Sequence, residues 1–286
     1  MTTSSASSQS GKVWFITGVS SGFGKLLAEY LVTLGANVVA TARKPETLKE
    51  LVDSAPEQVQ ALKLDVTRPE EVDAAVKEAI ARWGRIDVLV NNAGYGLTAA
   101  VEEATPEEYR TLFETNVFGL IHTTQAFLPQ FRKQRHGNIV MLSSIAGLVP
   151  SAGWGFYNAS KFAVEGLSEA LAGEMKPLGV SVTVIEPGPF RTEFLGTSGR
   201  LAQHSIADYS ETAHKMREYM EKQNGRQPGD PQKAVEAIVA AVEAEQPPLH
   251  LLLGKLAYDR YEARTKRFQD EVELWKETTL GADFPA

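Results

Sequence analysis

The sequence predicts a single doubly wound α/β domain, a parallel seven-stranded sheet with helices on both faces. Two observations carry that expectation. From residue 12 onward, short runs of β-branched and apolar residues alternate with stretches of helical period, as in strands joined by crossover helices. The first strand also runs through a glycine-rich turn straight into a helix, the way a βαβ unit opens.

KVWFIT (12–17) has the unbroken apolar character of a strand buried on both faces. The helix after the glycine turn reaches about Leu34, where Gly35 and Asn37 stop it and NVVATA begins the second strand. VQALKL (59–64) is the third strand. Thr67, Pro69, Glu70 and Glu71 then start a helix to about Trp83, combining an N-cap, a first-turn proline and early acids. IDVLV (86–90) follows, and Thr105, Pro106, Glu107 and Glu108 repeat the start signal for a helix over about 105–132. GNIVML (137–142), a helix over about 155–177, VSVTVI (180–185), a helix from Asp230 and Pro231, and LHLLL (249–253) complete seven strands. The segment 190–229 breaks the rhythm, with loop residues around GTSGR and a helical stretch near 209–223, and reads as an insertion over the sheet. The domain is expected to span 11–286, preceded by a polar, Ser/Thr-rich disordered tail over 1–10 that lacks the features of a secretory signal.

Composition narrows the function classes. The net charge is −7 and no strongly basic run occurs, which argues against a partner such as nucleic acid or an anionic membrane surface. No apolar stretch is long enough to span a bilayer. The absence of cysteine excludes disulfides, thiolate catalysis and Cys-ligated metals, and suits a cytoplasmic location. The five histidines are scattered without metal-ligand spacing, so they read as surface or internally satisfied residues and no metal is expected.

TGVSSGFG (17–24) places Gly18, Gly22 and Gly24 between strand and helix. Gly18 suits a tight turn with positive φ, and the later glycines let backbone approach a phosphate and let helix pack on strand. Free N–H groups and the helix dipole then face an anion, the logic of a Rossmann-type dinucleotide site involving Ser20, Ser21 and Phe23 as well. The same stretch also reads as G-x-S-x-G, the nucleophile elbow of a hydrolase with Ser20 as nucleophile and His204, His214 or His250 as base.

TGVSSGFG, NNAG (91–94), Ser144, YNASK (157–161) and PG (187–188), in this order, make the chain resemble the short-chain dehydrogenase/reductase family over about residues 12–192. VVATARKPETL, NNAGYGL, NVFG and EPGPFRTEF are similar to its hydroxysteroid- and retinol-dehydrogenase-like branch. The resemblance implies an oxidoreductase with the tetrad Asn116, Ser144, Tyr157 and Lys161. Chemistry supports those types independently: adding hydride to a carbonyl puts negative charge on oxygen, which needs a proton donor and a second hydrogen bond. Tyr157 is the acid/base and Ser144 the second donor. Lys161 lies one helical turn from Tyr157, and at ~4 Å and an effective dielectric of about 20 one cation is worth about 4 kcal/mol, enough to draw a phenol from about 10 towards about 7. Asn116 stands mid-helix, where Asn is unfavourable without a task. In the family that task is to hold a water linked to the lysine. The same fold without turnover, as a cofactor-binding sensor or scaffold, is the alternative from a different class.

The resemblance further implies that Asn92, Ala93 and Gly94 meet the adenosine ribose, that Asp65 and Val66 contact adenine, that Lys161 holds the nicotinamide ribose, and that Pro187, Gly188 and Thr192 hold the carboxamide. Phe190 departs from the pattern, standing where a smaller aliphatic is common. NADP(H) is expected in preference to NAD(H). No acid follows the second strand before Glu46, and Arg43 is placed to fork onto a 2′-phosphate, although Ser21 stands where many NADP-using relatives carry a second basic residue. The substrate is expected to be a bulky apolar ketone, aldehyde or secondary alcohol, against a pocket of Tyr95, Leu97, Val149, Trp154, Phe194, Leu195, Met216, Tyr219 and Met220. A homodimer or homotetramer, paired through the helices near 105–132 and 155–177, follows from the same resemblance.

Overall fold

The computed structural model describes residues 9–196 and 198–284. In chain order the elements are β1 (Val13–Ile16), α1 (Gly22–Thr33), β2 (Asn37–Ala42), α2 (Lys49–Ser54), β3 (Val59–Lys63), α3 (Pro69–Trp83), β4 (Val88–Asn91), β5 (Gly96–Thr98), α4 (Pro106–Phe113), α5 (Gly119–Gln134) and β6 (Gly137–Leu142). They continue with α6 (Gly155–Met175), β7 (Val180–Pro187), β8 (Gly199–Leu201), α7 (His214–Gln223), α8 (Pro231–Glu243), β9 (His250–Leu253), α9 (Lys255–Leu274) and α10 (Lys276–Leu280).

Seven strands form one parallel sheet in the order β3-β2-β1-β4-β6-β7-β9, as the alternating pattern predicts. β5 and β8 were not expected; they pair in a small parallel ribbon, with β8 inside the 190–229 insertion. β1 shows how the layers arise, because alternate side chains of a strand point to opposite faces. Val13 and Phe15 enter a core with Val72 and Ala75 of α3, Phe127 and Phe131 of α5 and Val164 and Leu171 of α6. Trp14 and Ile16 enter the other, with Leu27 and Leu31 of α1 and Val235 and Ile238 of α8.

Two start signals behave as expected. Thr105 forms a capping box with Glu108, and Asp230 accepts from the Gln232 amide at 3.0 Å. Thr67 does not: Arg68 is the N-cap of α3, and the Thr67 hydroxyl donates instead to Asp65 Oδ1 at 2.7 Å. The helix expected over 105–132 is interrupted by a π-helical turn, Glu114–Phe118, between α4 and α5. Of the expected tail, residues 1–8 lie outside the described residues. Gln9 is buried, accepting from Trp14 Nε1 at 2.9 Å and donating to Glu243 Oε1 at 2.7 Å. No described helix is long and apolar enough to cross a membrane.

The chain leaves β1 in one direction for β2 and β3, then returns to place β4 on the other side of β1. Helices covering opposite faces diverge there, opening a crevice at the carboxyl ends of the strands.

Candidate active site

That crevice is a cavity of about 670 Å³, within the range of small-molecule sites. Its floor is the glycine turn. Gly18 and Gly22 have positive φ, and a Cβ on Gly18 would stand only 3.1 Å from Ala93 Cα. Gly24 does not line the cavity. A Cβ there would strike Asn92 Nδ2 and the Gly18 carbonyl, both at 2.5 Å, so this glycine admits the side chain that ties the turn to β4. Asn92 Nδ2 donates to the Thr17 and Gly18 carbonyls, each at 2.8 Å, while Thr17 Oγ1 accepts from the amides of Asn92 and Ala93 at 2.9 and 3.0 Å. Ser21 is the N-cap of α1 without a side-chain cap bond, and no acid occupies the first turn. A helix N-terminus whose donors and dipole are left uncompensated, with open space where a Gly22 Cβ would be, fits the diphosphate of a dinucleotide.

Ser20, Ser21, Gly22, Phe23, Arg43, Asp65, Val66, Asn92, Ala93, Gly94, Pro187, Gly188 and Thr192 all line the cavity, together with Ala42, Leu64 and Thr67, which sequence reasoning did not select. Asp65 is committed locally, accepting from the Thr67 amide at 3.0 Å and its hydroxyl at 2.7 Å.

Ser144, Tyr157 and Lys161 line the same cavity. Ser144 follows β6 and accepts from the Ala146 amide at 3.1 Å, which fixes its hydroxyl at the strand end. Tyr157 and Lys161 stand one turn apart on α6, both buried. Burial pushes the Tyr157 phenol above its ordinary value, with the Ser144 hydrogen bond acting the other way. The drop towards neutrality expected from Lys161 is therefore not what the site shows. Lys161 Nζ donates to the Leu142 carbonyl at 2.6 Å and lies 5.8 Å from the Tyr157 ring centroid, and burial lowers its own value to about 8, with Glu165 opposing. Both groups are desolvated by the same dry wall, and desolvation disfavours either charge.

Asn116 does not line the cavity. It lies in the π turn, a distortion common at functional sites, and its side chain is used by the loop after β4. Oδ1 accepts from the Tyr95 amide at 3.0 Å, and Nδ2 donates to the Tyr95 carbonyl at 2.9 Å and to Ser160 Oγ at 3.2 Å. It thereby fastens that loop to α6, where a Cβ on Gly94 would be 3.1 Å from Asn116 Oδ1 and 3.9 Å from Lys161 Nζ.

Six of the nine expected pocket residues line the cavity: Tyr95, Trp154, Phe194, Leu195, Met216 and Tyr219. The Trp154 and Phe194 rings lie 5.2 and 5.5 Å from that of Tyr157. Leu97, Val149 and Met220 do not line it. Leu97 belongs to the core under β5, Val149 packs with Ile145 and Ala257, and Met220 takes a hydrogen bond from Thr98 Oγ1 at 2.9 Å. Helical and strand periodicity shows that such residues are buried, not whether they face ligand or core. Residues missed include Arg200, whose guanidinium lies 4.3 Å from the Tyr95 ring centroid, and Leu256 and Arg260 of α9. Arg260 donates to the Val149 carbonyl at 3.1 Å and Ser151 Oγ at 2.7 Å. The helical period of 255–274 was the signal that would have drawn attention to them.

Two histidines prove not to be isolated. Behind Lys161, Glu165, Glu186 and His250 bring ligand-type atoms within 4.8 Å of one another. His250 Nδ1 meets Glu186 Oε1 at 2.7 Å, and Ser143 Oγ donates to Glu165 Oε1. Burial is the main cause that pushes Glu165 up to about 7 and Glu186 to about 8. Beneath the insertion, buried Glu103 pairs with His214 at 2.6 Å and Arg217 at 3.2 Å. Among the described residues that line the cavity none is a histidine, so Ser20 has no base and the hydrolase arrangement fails.

The sequence model described as short chain dehydrogenase matches residues 12–201. A 3-ketodihydrosphingosine reductase of Bacteroides thetaiotaomicron is 40% identical over 248 residues, covering 86% of this chain and 88% of that protein. The crystal structure of a short-chain dehydrogenase from Streptomyces avermitilis superposes with a TM-score of 0.90 at 41% identity, covering 95% of this chain and 98% of that one. A short chain dehydrogenase/reductase from Burkholderia phymatum, solved in complex with NAD, superposes with a TM-score of 0.80 at 25% identity, over 93% and 95% of the two chains. The chain belongs to the short-chain dehydrogenase/reductase family and is an oxidoreductase with a nicotinamide-cofactor site.

Proposed function

We propose that the protein moves a hydride between NADP(H) and a bulky apolar ketone, aldehyde or secondary alcohol, with Ser144, Tyr157 and Lys161 as its catalytic residues and Asn116 as a residue that positions them. The observation that carries this reading is the meeting of Ser144, Tyr157 and Lys161 in one cavity with the uncompensated N-terminus of α1. The nicotinamide, when bound, supplies or accepts the hydride. Tyr157 keeps its proton in the free enzyme, because burial holds the phenol high, so it is poised to protonate a nascent alkoxide. Ser144 gives the same oxygen a second hydrogen bond. Lys161 contributes positive charge to the wall and a donor for a ribose hydroxyl.

Gly18, Ser20, Ser21, Gly22 and Phe23 would hold the diphosphate, Asp65 and Val66 the adenine, Asn92, Ala93 and Gly94 its ribose, and Pro187, Gly188 and Thr192 the carboxamide. Arg43 lines the cavity beyond the end of β2 without a competing acid on that strand end, which supports NADP(H) over NAD(H). Trp154, Phe194 and Leu195 beside Tyr157 support an apolar substrate, and the Bacteroides relative is named for reduction of a ketone. A cytoplasmic homodimer or homotetramer completes the proposal.

The test is NADPH oxidation, followed by absorbance, with apolar ketones beside small charged keto acids. Ketone-dependent loss of NADPH is expected, abolished in Tyr157→Phe with cofactor binding retained. Better kcat/KM on a small keto acid overturns the substrate class. NADP(H) is expected to win by about 10- to 100-fold, the worth of one charge-assisted hydrogen bond. Ala42→Asp/Arg43→Ala is expected to reverse that preference, and an unchanged ratio removes Arg43 from the site.

A further inference from the structure

α9 leaves the body of the protein after one turn. Ala257 is buried at its base, whereas from Tyr261 onward the helix is exposed along most of its length. A 20-residue helix standing in water is marginal by itself, since most helical stability comes from packing an apolar face. This helix has such a face. Tyr258, Tyr261, Thr265, Phe268, Val272 and Trp275 recur at spacings of three and four, the 3.5-residue period of a coiled-coil seam, and the five large ones are all exposed.

We propose that this seam is an interface between two copies of the chain, paired as an antiparallel coiled coil about a two-fold axis near residues 266–267. The occupant follows from self-complementarity. Turning the helix end for end sets Tyr258 against Trp275 of the second copy, Tyr261 against Val272, and Thr265 against Phe268, so each layer joins a large side chain to a complementary one. Along one edge of that pairing Arg264 lies diagonally across from Glu271 of the other copy, two positions from direct opposition, and Glu271 likewise from Arg264, giving two opposite-charge pairs from one sequence. A parallel pairing would instead set each seam residue against its own copy, Thr265 on Thr265 and Trp275 on Trp275, so that small meets small and large meets large in successive layers. Arg264 already lies on the seam, its guanidinium 4.6 Å from the Phe268 ring centroid. The outer face carries its own intrahelical pairs, Lys266 with Asp270 and Lys276 with Glu273. Acidic and basic residues nearly balance along 255–277, which lacks the cationic face that a helix seated on an anionic bilayer needs.

The experiment uses the full chain and measures its mass in solution by sedimentation. Phe268→Glu is expected to halve the assembly mass while kcat stays within twofold of the parent, and an unchanged mass overturns the interface. Arg264→Glu should weaken association at least tenfold, with Arg264→Glu/Glu271→Arg restoring it; failure of the restoration overturns the charge register. The chain has no cysteine, so orientation is read cleanly by mixing Tyr261→Cys with Val272→Cys under oxidation. Cross-links between the two variants are expected. Cross-links only within each variant overturn the antiparallel arrangement, and co-sedimentation of a parent monomer with phosphatidylserine vesicles replaces the second copy with a lipid surface.

Discussion

Two buried glutamates beside histidines, Glu103 and Glu165, are shifted in opposite directions from the ordinary carboxylate value. Glu103, under the insertion, receives the amides of Ala100 and Ile206 at 2.8 Å each as well as His214 and Arg217. Burial works against its charge, yet those donors prevail and hold it down to about 2. Glu165, behind Lys161, receives Ser143 on one oxygen, while its other oxygen and one of Glu186 are buried without a hydrogen-bond partner among the described residues. There burial prevails. Depth alone does not set ionisation; the number of donors aimed at the carboxylate decides it. Glu103 fastens α7 to the loop after β5, and Glu165 on α6 meets Ser143 after β6 and Glu186 of β7 behind Lys161.

The contrast breaks most visibly with one substitution made at both places. Glu103→Gln replaces an acceptor of four donors by an amide that must itself donate, leaving Arg217 without its buried counter-charge. A loss of about 3–5 kcal/mol in urea unfolding is expected, with KM for an apolar ketone raised as α7 loosens. His214→Ala removes one donor and leaves Arg217 and two amides on Glu103, so about 1.5–3 kcal/mol is expected. Glu165→Gln, by contrast, exchanges a carboxyl whose folded-state value is raised to about 7 for a neutral group of the same shape, and at pH 5, where the carboxyl is neutral, less than about 1 kcal/mol is expected.

The pH profiles of stability sharpen the same comparison. Glu103 is lowered in the folded state, so its contribution is present above the unfolded value of about 4.3 and is lost as pH falls towards 2. Glu165 and Glu186 are raised, so their contribution is complete below about 4.3 and is lost as pH rises through about 7 to 8. Denaturation midpoints measured from pH 3 to 9 should therefore fall at both ends for the parent. Glu103→Gln should flatten the acid side only, and Glu165→Gln/Glu186→Gln the alkaline side only. Loss of the acid limb in the second variant would contradict the assignment.

The seven-stranded sheet, the glycine turn and the placing of Ser144, Tyr157 and Lys161 in one cavity are legible in the amino-acid sequence, because each is written in local pattern: strand runs, helix starts, and residues four apart on one helix face. The sequence did not determine what faces what. Leu97, Val149 and Met220 look like pocket residues to any periodicity argument, yet they pack into the core, and Arg260 enters the cavity from a helix far along the chain. Asn116, the expected fourth member of the tetrad, is turned to Tyr95 by a π turn, which one residue of extra helical winding creates and no composition announces. The protonation of Tyr157, Glu165 and Glu186 was decided last, since desolvation depends on every element closing over a group, and the donors that oppose it come from residues distant in sequence.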